Sequence, residues 1–567
     1  MQFWKKSQNI GYVLALLGCA VVLVLPQIVL GSLVISSDSL FHFNRFYDTA
    51  MQIKEGNMQY FVSFYGFQQS GRIVNALYGP IIAYLHGGLV VLSPNWFFYQ
   101  VSANFLLYVL AGYSMYGLLC ACRIRPATSC LFSVVYLTTY AIQYWMMRQG
   151  FSSWGAAILP LCLIPYMQWM QTKKFDPFKV GISVALAVQV HLMTALFVGL
   201  IYAFGLIGIL WQKKRVDWSL CWKIVQSIVV FLFLTANIWL TMLLIYQGNT
   251  LLPPFINRNM YRSTITYNST YWIMTPTILI AGVFFMIGEG VLSFRRLSFD
   301  RRMLFLPFSF FVLLSTNIVP WRFLVENHFF LAELIQFPFR FFIPATTLMM
   351  VYLAKRWQEK VTHRYWHLLV IVCAVGQCLL MNTEANLRWH QSEAPFQTRK
   401  HTTHFSEDIQ RTKEAFHSTD KQAALLLLQK GTPDYVPIYR EDDANKYEAY
   451  TEQMILPNAD FDKVVQGNQL ILRWQGQEGR QRQLPLIIYD RTIVHLNGAP
   501  LEGESLQLTT IGAPIVIENA GMNQMTIAYP TPRGFLAVLC VVLFLWLLVI
   551  GKYGKRLVIR QRCFKKS

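Results

Sequence analysis

Asp38, His42, Arg45, Thr49 and Gln52 recur at spacings of four, three, four and three, the period of one helix face. Leu40, Phe43, Tyr47 and Ala50 fall on another, apolar face. An amphipathic helix starting near Leu40 is therefore expected, with Asp38 as its cap. Two readings fit the polar stripe. Asp38 and His42 could form an acid–base or metal-binding pair, with Arg45 beside them for a substrate. Alternatively, the stripe is a solvated face headed by a capping aspartate. Asp48, about three turns beyond Asp38, is a second carboxylate that could face the same space.

The chain continues through Gly66-Phe67-Gln68-Gln69-Ser70-Gly71-Arg72-Ile73-Val74-Asn75. Gln68, Gln69, Arg72 and Asn75 suit recognition of a polyol or a phosphate, since a guanidinium can grip phosphate through two parallel hydrogen bonds. A surface turn explains the glycines equally well. A further cluster holds Trp321, Arg322, Glu326, His328 and Glu333, then Gln336-Phe337-Pro338-Phe339-Arg340-Phe341-Phe342. Arg340 stands among aromatic residues at a helix mouth, where it could snorkel toward headgroups or meet a lipid-linked phosphate. Arg148, just past an apolar run, is read the same way. Glu326 and Glu333 read as loop surface, and His191 as a packing residue.

The elements that must position these residues are set by an apolar composition. Of 567 residues, 54% are hydrophobic and 14% charged, against about 25% charged in soluble domains. Apolar runs of about twenty residues match a bilayer's hydrocarbon core. A soluble enzyme and a nucleic-acid-binding protein are excluded, and the net charge of +20 marks basic loops facing anionic lipid. Twelve spans are expected: 11–35, 97–121, 127–146, 152–171, 178–191, 193–211, 224–246, 272–294, 303–319, 340–354, 365–381 and 534–551. The segment 77–92 is short and carries Gly79-Pro80 and His86-Gly87-Gly88. Only if it dips in without crossing do Lys213, Lys355 and the other basic loop residues gather on the cytoplasmic side. Both termini are then cytoplasmic, and a cavity is expected beside 77–92, because irregular backbone at that depth needs cover.

Three regions follow: a transmembrane domain at 1–381 with a long outer loop at 36–76, an extracytoplasmic domain at 382–533, and a last span with a basic tail at 534–567. The extracytoplasmic domain is expected to begin with a helical stretch at 405–430. Strands at 464–474, 484–489, 492–496, 505–510, 514–518 and 525–529 then form a small antiparallel β-sandwich. The fold class is thus a polytopic α-helical membrane protein with an extracytoplasmic α+β domain. All ten cysteines lie in or beside apolar runs, so they read as packing residues rather than a disulfide frame or metal site.

The acidic residue opening the first outer loop, Asp38, together with the many spans, resembles the GT-C superfamily of membrane glycosyltransferases. Asp38-Ser39-Leu40-Phe41-His42-Phe43-Asn44-Arg45, the run Gln336–Phe342, and the segments Leu484-Pro485-Leu486, His495-Leu496-Asn497-Gly498 and Tyr529-Pro530-Thr531 resemble bacterial YfhO-like proteins and membrane proteins labelled 6-pyruvoyl-tetrahydropterin synthase-related. The resemblance implies transfer of a sugar from a polyprenyl-phosphate carrier to a cell-envelope polysaccharide, teichoic acid or protein on the outer face. It also implies that Asp38 activates the acceptor or binds a metal. Ser37-Asp38-Ser39-Leu40 supplies one acid rather than an Asp-x-Asp pair, so a divalent metal is optional and no other cofactor is expected. The rivals are a lipid or polysaccharide translocase and a non-enzymatic envelope-assembly partner. A translocase calls for ionisable groups at mid-span, but Glu289 is nearly alone and lies toward the cytoplasmic end of its helix.

Overall fold

The computed structural model describes residues 8–36, 38–147, 151–214, 217–266, 273–360, 364–391, 400–440 and 445–563. In chain order the helices are α1 (Gln8–Leu30), α2 (Ser39–Glu55), α3 (Pro80–Leu92), α4 (Trp96–Ala121), α5 (Pro126–Leu137), α6 (Tyr140–Met147), α7 (Ser152–Thr172), α8 (Pro177–Val190), α9 (Leu192–Lys213), α10 (Trp218–Leu234) and α11 (Ala236–Tyr246). They continue as α12 (Ile278–Leu292), α13 (Phe299–Leu314), α14 (Trp321–Glu326), α15 (Phe330–Ile335), α16 (Phe342–Lys360), α17 (Arg364–Gln391), α18 (Ile409–His417), α19 (Lys421–Leu427), α20 (Lys446–Tyr450) and α21 (Phe535–Cys563).

The chain is a mainly helical membrane protein. Among the described residues, five helices are long and apolar enough to cross a bilayer: Ile10–Leu30, Trp96–Ala121, Leu192–Lys213, Tyr365–Gln391 and Phe535–Lys552. The pair α10 and α11, bent by 68°, adds a sixth if it forms one span. The twelve expected spans are thus not all continuous helices of spanning length. The expected 127–146 span breaks at Thr138-Thr139, whose hydroxyls return to the carbonyls of Val135 and Tyr136 at 2.8 and 2.7 Å. Helices α8, α12 and α13 are only 14, 15 and 16 residues long, and α13 opens on Asp300, Arg301 and Arg302. Helix α4 is central, packed by α1, α5 and α7. Helix α21 is peripheral and exposes Leu536, Val541, Phe544, Leu547 and Ile550, the surface that lipid covers.

The segment 77–92 becomes the 13-residue α3. At 1.5 Å per residue it is about 20 Å long, short of the roughly 30 Å needed to cross. Pro80 starts it with φ preset, and Gly79 precedes it at φ +57°. Helix α3 lies hard against α2 at Gly87, where a β-carbon would stand 2.4 Å from Thr49 Oγ1 and 2.9 Å from Ala50 N. Thr49 Oγ1 also donates to Ala83 O at 2.9 Å. Small residues one turn apart permit this backbone approach.

The expected helix at 405–430 is instead two short helices. Asp408 caps α18 and Asp420 caps α19 through side-chain acceptance of backbone N–H groups, so the second cap restarts the helix. Strand β1 (Thr402–His404) then pairs with β2 (Leu428–Lys430). The expected 464–474 strand is a hairpin of β3 (Asp462–Gln466) and β4 (Gln469–Gly476), turned at Gly467 with φ +55°. The remaining strands are β5 (Gln481–Gln483), β6 (Ile493–Leu496), β7 (Ala499–Pro500), β8 (Gln507–Leu508), β9 (Pro514–Ile517) and β10 (Gly521–Ala528). They form antiparallel sheets of order β3-β4-β10-β6-β7 and β5-β9-β8. Residues 484–489 are not a strand; Ile487 N donates to Ser70 O and Ile488 N to Gly512 O. The sheet core is shared with the first loop: Phe61, Phe64 and Ile73 cluster with Leu472, Leu486, Met525 and Ile527.

Candidate functional site

Helix α2 is enclosed on both faces. Phe43, Phe46 and Ala50 are buried, and so are His42, Arg45, Asp48, Thr49 and Gln52. The stripe is therefore no solvated surface; most of it holds the site end of the molecule together.

Asp38 precedes α2 but its side chain makes no capping hydrogen bond. Ser39 Oγ accepts from Ser36 N at 2.9 Å instead, which leaves the Asp38 carboxylate free to turn outward. It is half exposed, 3.8 Å from Lys430 Nζ. The expected Asp38–His42 side-chain pair does not form. His42 Nδ1 lies 3.2 Å from Arg45 Nη1, and its ring is packed by Phe46, Tyr78, Trp145 and Phe151. Burial, then the Arg45 charge, pushes its pKa well below the ordinary imidazole range. Arg45 stacks over Tyr78 at 4.4 Å and donates to Asn75 Oδ1 at 3.1 Å and to Tyr78 O. Its fork is filled by protein.

Asp48 is also filled. Its Oδ1 accepts from Tyr65 N at 3.0 Å and Gly66 N at 3.3 Å; its Oδ2 accepts from Gln52 Nε2 at 2.8 Å and Asn75 Nδ2 at 3.3 Å. Desolvation lifts its pKa to about 6 against those stabilising donors. No surface of Asp48 remains exposed. Gln68 accepts from Tyr450 OH at 3.1 Å and, through its carbonyl, from Lys463 Nζ at 2.7 Å. Gln69 borders a narrow crevice with Asn44, Tyr47, Tyr65 and Gln422. Arg72 is fully buried, flanked by Phe67 and Tyr450 at 4.9 and 5.1 Å. It donates to Thr432 Oγ1 at 3.4 Å and to Asp434 O. Arg72 thus clamps a segment of the sheet domain rather than presenting an open fork.

That segment brings in a residue the sequence pattern did not single out. Gly431-Thr432-Pro433-Asp434-Tyr435 reads as a turn, yet it folds back over the first loop. Tyr435 N donates to Leu252 O at 3.0 Å and Leu252 N to Val436 O at 2.8 Å. Asp434 is half-buried. Desolvation lifts its carboxyl to about 6, with Asp38 adding to the rise and Arg72 and Lys430 opposing it. Tyr78 joins the same set: burial raises its hydroxyl, while the charges of Arg45, Asp38, Arg340 and Asp434 all act on it.

Arg340 is half-buried. It lies in a 3₁₀ turn at Pro338–Phe341, stacked over Phe337 at 5.0 Å. Its Nη1 donates to Ile335 O at 3.1 Å and Gln336 Oε1 at 2.9 Å, while its Nε is buried without a partner. Beside it, Tyr140, Tyr144, Phe339, Phe342 and Ile343 line an apolar groove. His191 is half-buried, 3.0 Å from Thr194 Oγ1. Arg148 lies outside the described residues. Glu326 of α14 pairs with Arg322 at 2.8 Å on an exposed face, and Glu333 of α15, half-buried, lies 3.0 Å from His328. Among the described residues no group of three or more His, Cys, Asp or Glu side chains converges on one point. The donor set for a resident divalent ion is therefore not assembled among the described residues.

Fold and site together define a membrane protein in which helices of spanning length carry antiparallel sheets, with Lys430 of β2 standing 3.8 Å from Asp38 at the head of α2. No family model matches the sequence, and no curated protein matches it. Among solved structures, the chain is similar to the oligosaccharyltransferase of Archaeoglobus fulgidus, crystallised in its apo form. The TM-score is 0.33 at 12% identity, covering 78% of this chain and 62% of that one. The chain thus matches less than two thirds of that protein's length.

Proposed function

We propose that this chain is an integral membrane glycosyltransferase of the GT-C type, moving a sugar from a polyprenyl-phosphate carrier to a cell-envelope acceptor. One observation carries the reading: Asp38, at the head of α2, stands half exposed 3.8 Å from Lys430, and Arg340 adjoins the apolar groove at Tyr144 and Phe339. Transfer from a lipid phosphate needs a cation where the phosphate leaves, a carboxylate near the attacking group, and an apolar path for the lipid. Arg340 and Lys430 serve the first need, and the groove serves the third. Asp38 activates the acceptor from the first loop, taking its proton. The acceptor is a polysaccharide, a teichoic acid or a protein reached from outside the cell. On this reading residues 382–533 lie outside and both termini lie in the cytoplasm.

Asp38→Asn tests the reading. The side chain makes no capping bond, so folding and melting should match wild type. Transfer from polyprenyl-phosphate sugars should fall by about two to four orders of magnitude, with donor lipid still retained. A rate near wild type would remove Asp38 from the chemistry. The non-catalytic alternative, an envelope-assembly partner, draws support from the saturation of Arg45, Asp48 and Arg72 by internal bonds. It predicts no transfer by wild-type protein. Translocation finds less support: Glu289 is engaged by Tyr352 OH at 2.8 Å and by Arg356.

A further inference from the structure

We propose that the α14–α15 hairpin and the neighbouring 255–263 loop form a shelf that lies in the bilayer interface and binds anionic phospholipid, with Arg262 and Arg322 meeting the lipid phosphate. The proposal goes beyond the glycosyltransferase reading and does not depend on it, since it asks only that the chain sit in a membrane.

The depth of the shelf follows from the helices on either side of it. Helices α13 and α16 pack together. Helix α13 opens on Asp300, Arg301 and Arg302 and ends at Leu314, and Lys355 of α16 pairs with Asp300. From Arg302 to Leu314 the rise is about 18 Å, and from Lys355 back to Phe342 it is about 20 Å. A hydrocarbon core is roughly 30 Å thick. With the charged ends at one surface, the chain that leaves α13 and enters α16 has not cleared the opposite leaflet, and the hairpin between them lies at that level. Arg340 Nη1 donates to the carbonyl of Ile335, the last residue of α15, at 3.1 Å, so that guanidinium shares the level.

The burial pattern fits lipid rather than water. Trp321 and Val325 of α14 and Ala332 and Ile335 of α15 face inward. The outward positions of a hairpin in water would be polar, yet Phe323 and Phe330 are 63% and 71% exposed, and Ile318, Phe329, Leu331 and Leu334 are exposed with them. Such a surface is one that lipid covers. The charges on the shelf are complementary to an anionic headgroup. The 260–263 turn packs on α14, and the guanidinium groups of Arg262 and Arg322 stand 5.7 and 5.8 Å from the Tyr261 ring. Glu326 pairs with Arg322, whereas Arg262 is exposed and has no acidic partner among the described residues. A lipid phosphate beside the exposed phenylalanines meets that charge.

The experiment uses the full-length protein in nanodiscs of equal parts phosphatidylcholine and phosphatidylglycerol. A photoreactive benzophenone amino acid is placed at position 323 or 330, or at the exposed position 466 of the sheet domain as a control, and the adducts formed on irradiation are weighed by mass spectrometry. Positions 323 and 330 should yield phospholipid adducts and position 466 should not. Adducts at 323 should favour phosphatidylglycerol, and Arg262→Gln, matched to wild type in melting temperature, should cut that preference about fivefold, the share of one arginine near a bilayer surface. Positions 323 and 330 as free of lipid as 466, or joined to a second protein chain in its place, would overturn the shelf. Lipid adducts without preference for phosphatidylglycerol, or a preference unchanged in Arg262→Gln, would overturn the phosphate contact.

Discussion

Asp48 shows how environment divides residues of one type. It and Asp434 both have carboxyls raised to about 6 by desolvation, but Asp48 spends its oxygens on Tyr65, Gly66, Gln52 and Asn75. Asp48→Ala would leave those four donors buried and unpaired, costing about 3 kcal/mol or more. The sign of the pH effect follows from the raised carboxyl. The folded chain binds the proton more tightly than the unfolded chain, so stability contributed here falls as pH rises from about 4 to about 6. Melting temperatures across that range should lose this slope in Asp48→Ala; an unchanged slope and melting point would refute the structural role. The first loop was legible as a concentration of polar residues. Their roles were not, because spacing tells which side chains share a face but not what covers it. His42 and Arg45 meet each other and a ring of aromatics contributed by other helices. Asp434 carried no signal beyond turn chemistry, since its importance comes from Arg72 and Leu252, far away in the chain.

At the scale of elements, apolar length and caps were readable while continuity was not. Helices α4 and α9 lie close to their expected bounds, and β6 and β9 fall within theirs. Breaks at Thr138 and Thr235 arise from hydroxyls bonding back to the preceding turn, a local competition that mean hydropathy does not register. The crossing of α2 and α3 gives a sharp contrast between neighbouring glycines. Gly87 meets Thr49 and Ala50, whereas nothing lies within 4 Å of a β-carbon at Gly88. Gly87→Leu should force the helices apart at about 1–3 kcal/mol, lowering the melting temperature and, on the proposed function, the transfer rate. Gly88→Leu should behave as wild type. Equal tolerance of both substitutions would mean that the crossing is not tightly packed.

For the whole molecule, the orientation in the bilayer is open to direct test. Lys213, Lys360 and Gln466 all reach the surface, whereas Lys355 is buried against Asp300 and would make a poor probe. Single cysteines at 213 and 360 should resist an impermeant maleimide in intact cells, and a cysteine at 466 should react. Labelling at 213 would overturn the proposed parity and make α3 part of a crossing.

The return of the 431–437 segment to the first loop has a consequence for how the molecule comes into being. Arg72 and Asp434 are 362 residues apart in the chain, and the helices from α3 to α19 must be laid down between them. A nascent chain halted at Gln391 already owns α2 and Asp38, yet it lacks Lys430 and the covering sheets. On the proposed function, half-made protein in the membrane is inert. Activity begins only when the late-synthesised domain closes onto a loop made first, so completion of the chain is itself the licence to act on carrier lipid.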